Sequence, residues 1–141
     1  MDVLGAKTLE RLKPRDRDFL ERVRKTPSTV YEARIRAIDF VGKERVLDAG
    51  CGFGQWSAAL ASTNGQVLGV DFSDSRVHVA ESLWRHFPNL SFLAGNVEGL
   101  PLSSESMDAV FSYSVIYFAD PAKVVREMHR VLKPQGRMYI C

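Results

Sequence analysis

Arg45-Val46-Leu47-Asp48-Ala49-Gly50-Cys51-Gly52-Phe53-Gly54 is the stretch on which the fold turns. A short apolar run ending in an acid reads as a buried strand. Glycines at positions 50, 52 and 54 then let the backbone turn sharply into a helix, with no Cβ in the way of a ligand. The helix N-terminus behind them favours a negative group. The spacing is G-x-G-x-G, not the dinucleotide fingerprint G-x-G-x-x-G. Gln55 stands where the last glycine of that fingerprint would be, which disfavours a nicotinamide cofactor.

Downstream, short strands alternate with helices. A helix is expected from Gly54 to about Ser62, stopped at Asn64-Gly65. Gln66–Asp71 reads as a second strand and Asp74 to Phe87 as a helix with Val77, Ala80, Leu83, Trp84 and Phe87 on one face. Leu90–Ala94 and Met107–Ser112 read as strands three and four. Asp120 is an N-cap with proline at the first helical position, opening a helix that buries Val124, Val125, Met128, Val131 and Leu132. Lys133-Pro134-Gln135-Gly136 reads as a turn, after which Arg137–Cys141 opens strand five. This alternation predicts an α/β fold: a doubly wound, mostly parallel, Rossmann-like sheet with helices on both faces. Ligands of such sheets bind beyond the strand C-termini, where the strand order reverses. The residues just after each strand are therefore the candidates.

After strand two comes Asp71-Phe72. An acid here can accept hydrogen bonds from both hydroxyls of a ribose. The competing role, capping the next helix, falls better to Ser73 and Asp74. Phe72 could lie on an adenine face or simply pack. After strand three, Asn96 in Gly95-Asn96-Val97-Glu98 offers an acceptor and a donor to a base, or serves as a plain turn residue. After strand four come Ser112 and Tyr113.

Together these stations resemble the class I S-adenosylmethionine-dependent methyltransferases. Val46–Gly54 resembles their first motif, and Asp71 resembles their ribose acid. Gly95–Leu100 with Pro101 resembles their adenine-side motif, and Leu132–Ile140 their last common motif before strand five. The match spans roughly residues 29–141, closest to the small-molecule branch. Residues 1–28 are read as an N-terminal helical extension. Asn96 departs from the more usual aspartate, and Gln135 from a glycine. The resemblance implies S-adenosylmethionine as cofactor and S-adenosylhomocysteine as product. Asp48 then orders the loop and the methionine amino group, while Gly50 and Gly52 bring backbone to the methionine tail, with Cys51 and Gly54 in the same turn. Asp71 holds the ribose, Asn96 and Val97 meet the adenine, and Ser112 and Tyr113 lie beside the methionine end. The rival readings are a non-catalytic S-adenosylmethionine-binding domain on the same fold, and a methyltransferase acting on RNA or protein.

The segment before strand one adds two expectations. A weak helix is expected at about Asp16–Lys25. Thr29 and Glu32 have capping-box spacing, so a helix should run from Thr29 to Val41 and stop at Gly42. On a wheel, Val30, Ala37, Ile38 and Val41 cluster, with Arg34 in their midst. A charge there must pair or snorkel. We read Arg34, with Tyr31 near it, as reaching the methionine carboxylate or an acidic substrate; the alternative is a structural pair.

Methyl transfer is a direct displacement, for which an enzyme mainly supplies alignment and desolvation. No catalytic base can be named: His78, His86 and His129 all fall within helices and read as surface residues. Tyr113 or Tyr117 could line the acceptor pocket. The acceptor is expected to be a small molecule.

The composition, 45% hydrophobic and 26% charged, belongs to a globular domain. The net charge of +2 is uneven: residues 1–45 hold 12 Lys/Arg against 8 Asp/Glu. The signs interleave as on a solvated helix face, so no nucleic-acid partner is expected. Two cysteines make neither a disulfide framework nor a zinc pattern, and no metal is expected. No apolar run spans a bilayer and no secretory signal is visible, which points to a cytoplasmic protein. The chain ends at Met138-Tyr139-Ile140-Cys141, where the resemblance implies a further helix and two strands. On that reading the chain is incomplete, binds cofactor with little methyl transfer, and pairs into a homodimer through the exposed edge of strand five.

Overall fold

The computed structural model describes residues 4–141. Helices α1 (Ala6–Glu10), α2 (Pro14–Lys25) and α3 (Ser28–Ala37) precede an alternation of β1 (Arg45–Ala49), α4 (Gln55–Ala61), β2 (Gln66–Asp71), α5 (Asp74–Trp84), β3 (Leu90–Ala94), β4 (Met107–Ser112), α6 (Pro121–Val131) and β5 (Leu132–Ile140). All strands are parallel, in the order β3-β2-β1-β4-β5. The order reverses between β1 and β4, which fixes the ligand-binding crevice of an open α/β sheet at the ends of those two strands. The doubly wound expectation holds.

Each face of the sheet carries its own core. Leu47, Ala49, Val70 and Val110 pack under α6 through Val124, Met128 and Val131. Val46, Val67, Ala109 and Phe111 pack on the other face, against Ile35 and Phe40 and against Trp56, Ala59 and Leu60 of α4. Alternate residues of each strand face opposite layers, as a sheet covered on both sides requires. A third cluster joins Leu4, Leu12 and Leu20 to Phe53 and Val79, and so ties the N-terminal helices to the glycine loop and α5.

Several local expectations need correction. Helix α3 stops at Ala37, well before Gly42. Asp39 takes φ 53, Asp39 N–H donates to Arg36 O (3.0 Å), and Phe40 N–H to Ile35 O (3.0 Å). That is a Schellman closure with aspartate in the left-handed position, sealed by contact of Phe40 with Ile35 in the core. Arg137 donates to the carbonyls of Asp39 (2.8 Å) and Ile38 (2.6 Å), satisfying the helix end from β5. At the other end the N-cap is Pro27, with no side-chain cap bond, so the Thr29–Glu32 capping box does not form.

The wheel for this helix is also different. Ile35 is its buried residue, flanked by half-buried Tyr31 and Ile38, whereas Val30, Ala37 and Arg34 are exposed. Arg34 is therefore not a buried charge. On α6 the buried face is Val124, Met128 and Val131, and Val125 is exposed. Finally, Lys133–Gly136 lies within β5: the ladder passes from Met107↔Leu132 to Ala109↔Arg137, so these residues bulge out of the sheet as a turn. Asp120 does cap α6, accepting from Ala122 N–H at 3.0 Å, and Ser73 caps α5.

Candidate functional site: the strand ends around the glycine loop

Beyond β1 the chain doubles back over β2. The N–H groups of Gly50 and Cys51 both donate to Val70 O, at 2.7 and 2.9 Å. Gly50, Gly52 and Gly54 all have φ between 56 and 80, a region that L side chains avoid. At Gly50 space is also short, since a Cβ there would overlap the Val115 side chain. Ser112, on β4, donates its hydroxyl to Ala49 O (2.9 Å) and holds the two strand ends together. Its hydroxyl is used structurally.

Two buried carboxylates face this loop. Asp71 is 3% exposed; its Oδ2 accepts from Gly52 N–H and its Oδ1 from Ser73 N–H, both at 3.0 Å. Asp71 thus shapes the glycine loop. Asp48 is 1% exposed and accepts from the Ser57 hydroxyl at 2.5 Å. Burial pushes its pKa up from 3.8 to about 7; the Ser57 bond opposes this and the nearby charge of Asp71 adds to it. Burial also holds the Cys51 thiol well above its ordinary value, so Cys51 is an inert, tightly fitted residue of the turn. Gly54 serves packing: it is the N-cap of α4, and a Cβ there would press on Phe92 and Trp84.

A second group gathers beside the loop. Trp56 contacts Tyr31 edge-on (4.8 Å between centroids) and Tyr113 at a tilt (4.7 Å). Arg34 Nη1 donates to the Tyr113 hydroxyl at 3.4 Å. Tyr31, Arg34 and Tyr113 therefore come together, although the wheel that suggested Arg34 is not the one the helix uses.

The remaining candidates stand apart. Phe72 is 75% exposed, with the Arg76 guanidinium 5.8 Å from its ring centroid. Asn96 is exposed and its Oδ1 accepts from Glu98 N–H (2.9 Å), an Asx turn. Val97 packs its side chain into the core, so only its backbone can reach a base. This loop is held from behind. Arg130 donates to the carbonyls of Leu100 (3.0 Å) and Leu102 (2.8 Å), and Glu127 accepts from Leu100 N–H (2.7 Å). A cleft of about 540 Å³ opens between Ser104-Glu105 and Lys133–Gly136, at the N-terminal ends of β4 and β5. It lies at the opposite edge from these carboxylates and is not the site we assign.

Sequence reasoning missed three residues at the site. Val115 covers Gly50, Phe19 of α2 lies 3.2 Å from a Cβ built on Gly52, and Arg76 approaches Asp71 to 4.0 Å. Val115 and Phe19 carry no chemical signal in the sequence. Arg76 could have been suspected, because it lies in the first turn of the helix that follows the acid.

Residues 47–140 match the family described as a methyltransferase domain. The chain belongs to this family. A demethylmenaquinone methyltransferase of Clavibacter sepedonicus is 36% identical over 110 residues, which cover 77% of this chain and 45% of that protein. Among solved structures, the YcgJ protein of Bacillus subtilis superposes with TM-score 0.71 at 33% identity, covering 78% of this chain and 48% of that one. The [4+2]-cyclase SpnF also superposes, with TM-score 0.71 and 27% identity over 80% of this chain and 43% of that one. The chain thus spans about half the length of the methyltransferases it resembles. Among the described residues no helix is long and apolar enough to cross a membrane.

Proposed function

We propose that this chain is the cofactor-binding core of a methyltransferase that uses S-adenosylmethionine and methylates a small-molecule acceptor. The observation that carries this reading is Asp71: a buried acid at the end of β2, beside the switch point, joined to the glycine loop by the Gly52 N–H. The donor set suits the cofactor. Asp71 retains lone pairs for ribose hydroxyls, and the β1 carboxylate of Asp48, held near neutrality by burial, is relieved by a cationic neighbour. A positive-φ turn without Cβ atoms lets backbone approach the ligand closely. No lysine of a phosphate loop is present, in keeping with a ligand that carries no phosphate.

On this reading Asp48, Gly50, Cys51, Gly52 and Gly54 form the cradle of the methionine tail, and Asp71 holds the ribose. Asn96 and the backbone of Val97 meet the adenine from their clamped loop, with Phe72 at its rim. Tyr31, Arg34, Ser112 and Tyr113 border the methionine end, where the Arg34 guanidinium pairs with the carboxylate. The cofactor supplies a methyl group already activated by its sulfonium. The residues of the chain orient it and keep water out. Residues 29–141 are the core and residues 1–28 its N-terminal extension. The protein acts in the cytoplasm, and the open edge of β5 is where a second copy of the chain would pair.

Calorimetry with S-adenosylhomocysteine tests the reading: saturable binding with one ligand per chain is expected, and no thermal stabilisation by NAD. Binding of NAD in preference would overturn it. Since SpnF shares the fold, binding and transfer are separate claims. Conversion of S-adenosylmethionine to S-adenosylhomocysteine, dependent on a small acceptor, tests the second.

A further inference from the structure

A second cavity, of about 140 Å³, lies in the helical layer, between the end of α2, the first halves of α3 and α4, and the segment that ends α5. Its walls include Tyr31, Glu32, Gln55, Trp84, His86 and Phe87. None of Asp48, Gly50, Gly52, Asp71, Ser112 or Tyr113 lines it, so it is not the crevice assigned above. Two of its walls carry unused acceptors. Gln55 opens α4 and is only 8% exposed, yet its Oε1 has no hydrogen-bond partner among the described residues. A fold does not leave a buried acceptor unpaired without cost. The terminal amide turns on a soft torsion, so Oε1 can be presented to the cavity without disturbing the helix. Glu32 is half-buried. The capping box that would have employed its carboxylate does not form, and it makes no hydrogen bond or ion pair with a described residue.

The rest of the wall is largely apolar. Trp84, His86 and Phe87 gather on one side, with the His86 and Phe87 rings 4.6 Å apart and the Trp84 ring 6.2 and 6.4 Å from them between centroids. Val23, Ala58 and Ala59, all buried, add apolar surface, and no lysine or arginine lines the cavity. The volume equals that of about four or five waters, each of which would need about two to four polar partners. One amide and one carboxylate do not supply them. A cavity of this size instead accepts an apolar body about as large as benzene. Aromatic faces attract a cation, and an unpaired carboxylate does so more strongly.

We propose that this cavity is a second binding site, for a small protonated amine: a primary ammonium on an apolar body of about four to six carbons. The ammonium pairs with Glu32 and donates to Gln55 Oε1, while the body lies among Tyr31, Trp84 and Phe87. The site bridges α3, α4 and α5. It reaches the glycine loop through Trp84, whose Nε1 donates to Phe53 O (2.7 Å). Its ligand differs from that of the crevice, and the site stands whether or not the crevice holds S-adenosylmethionine.

Butylammonium is the probe, titrated into the isotopically labelled 141-residue chain and followed by magnetic resonance. The Gln55 side-chain amide and the Trp84 indole resonances should shift and saturate at millimolar ligand. 1-Butanol, a neutral molecule of the same shape, should bind roughly tenfold more weakly, the scale of one charge-assisted contact. Glu32→Gln should erase that preference. Gln55→Leu should weaken both ligands and leave the melting temperature equal or higher, because an orphan acceptor is removed at little change in volume. Equal affinity for amine and alcohol in the unsubstituted chain overturns the proposal, and so does a preference that survives Glu32→Gln. Undiminished binding in Gln55→Leu overturns it too; should that variant fail to fold, Glu32→Gln, on the half-buried side of α3, carries the test. Shifts confined to Ser112 and Tyr113 place the amine in the crevice and overturn the second site. Absence of any saturable shift, or a crystal grown with butylammonium that shows only water in the cavity, overturns it outright.

Discussion

The two loops that bracket the crevice are built in opposite ways. Asp48–Gly54 is buried, strained into positive φ, and covered by Val115 and Phe19. Gly95–Leu102 carries its polar residue outward, and its rigidity comes from behind, from Glu127 and Arg130. The first is covered, and the N–H groups of Gly50, Cys51 and Gly52 and the Asp48 carboxylate already have partners within the chain. The second is open and already in place. On the cofactor reading proposed above, the base side of the crevice is ready-made and the ribose and methionine side is the covered one. Truncations should accordingly be costly on the first loop and mild on the second.

The largest effect is expected at Asp71. Asp71→Ala should weaken S-adenosylhomocysteine binding by about 1.5–3 kcal/mol, the scale of charge-assisted hydrogen bonds. It should also lower the melting temperature, because Gly52 N–H loses its acceptor. Asn96→Ala, at an exposed Asx turn, should cost well under half of that. Calorimetry on both variants decides the comparison, and equal losses would break it.

Asp48 should make the buried loop sensitive to pH. Its folded-state pKa of about 7 lies above its ordinary 3.8, so the folded chain keeps a proton that the unfolded chain releases. That contribution is whole below the lower value and is lost as pH rises through the upper one. The melting temperature of the free chain should therefore fall between about pH 4 and about pH 7, and Asp48→Asn should flatten the slope. Affinity for the cationic cofactor should move the other way, rising as Asp48 ionises. A pH-independent affinity in the unsubstituted chain would take Asp48 out of the site.

Arg34 tests the border of the crevice. It is exposed and its bond to the Tyr113 hydroxyl is long at 3.4 Å, so it contributes little to the fold. Arg34→Met should reduce cofactor affinity severalfold, on the scale of a single exposed charged contact, with the melting temperature nearly unchanged. Normal binding in that variant would leave Arg34 only its contact with Tyr113.

Much of this molecule was legible in the sequence because strand-helix alternation and the glycine spacing are one-dimensional signals. The bounds of β2, β3 and β4, the Asp120 cap and the parallel, doubly wound character of the sheet all follow from pattern. What stayed hidden depends on tertiary partners. The end of α3 is set by Arg137 and by the burial of Phe40, which no local window contains. The cover over the loop comes from Phe19, in a segment whose composition reads as solvated. Asp71 and Asp48 could be named as candidates, but their bonds to Gly52 N–H and Ser57 could not be foreseen, since both arise from how the loop folds back.

The smallest expected effect lies far from the crevice, at the bulged turn of β5. Gln135 was expected to substitute tolerably for a glycine in Lys133-Pro134-Gln135-Gly136. It sits at φ 65, the left-handed region demanded of the third residue of a type II turn. An L side chain there costs about 1–2 kcal/mol, and glycine gives back part of that through its freer unfolded chain. The side chain is exposed and no packing is lost on its removal. Gln135→Gly should therefore stabilise the chain by about 0.5–1 kcal/mol, read as a higher denaturant midpoint at unchanged slope. Gly136 is the control. A Cβ there would lie 2.8 Å from both Leu132 Cδ2 and Lys133 O, so Gly136→Ala should destabilise although Gly136 is the next residue in the same turn. If Gln135→Gly lowered the midpoint, the turn would owe its form to a contact of the glutamine side chain, and the β5 bulge would be held by its side chains and not by its backbone alone.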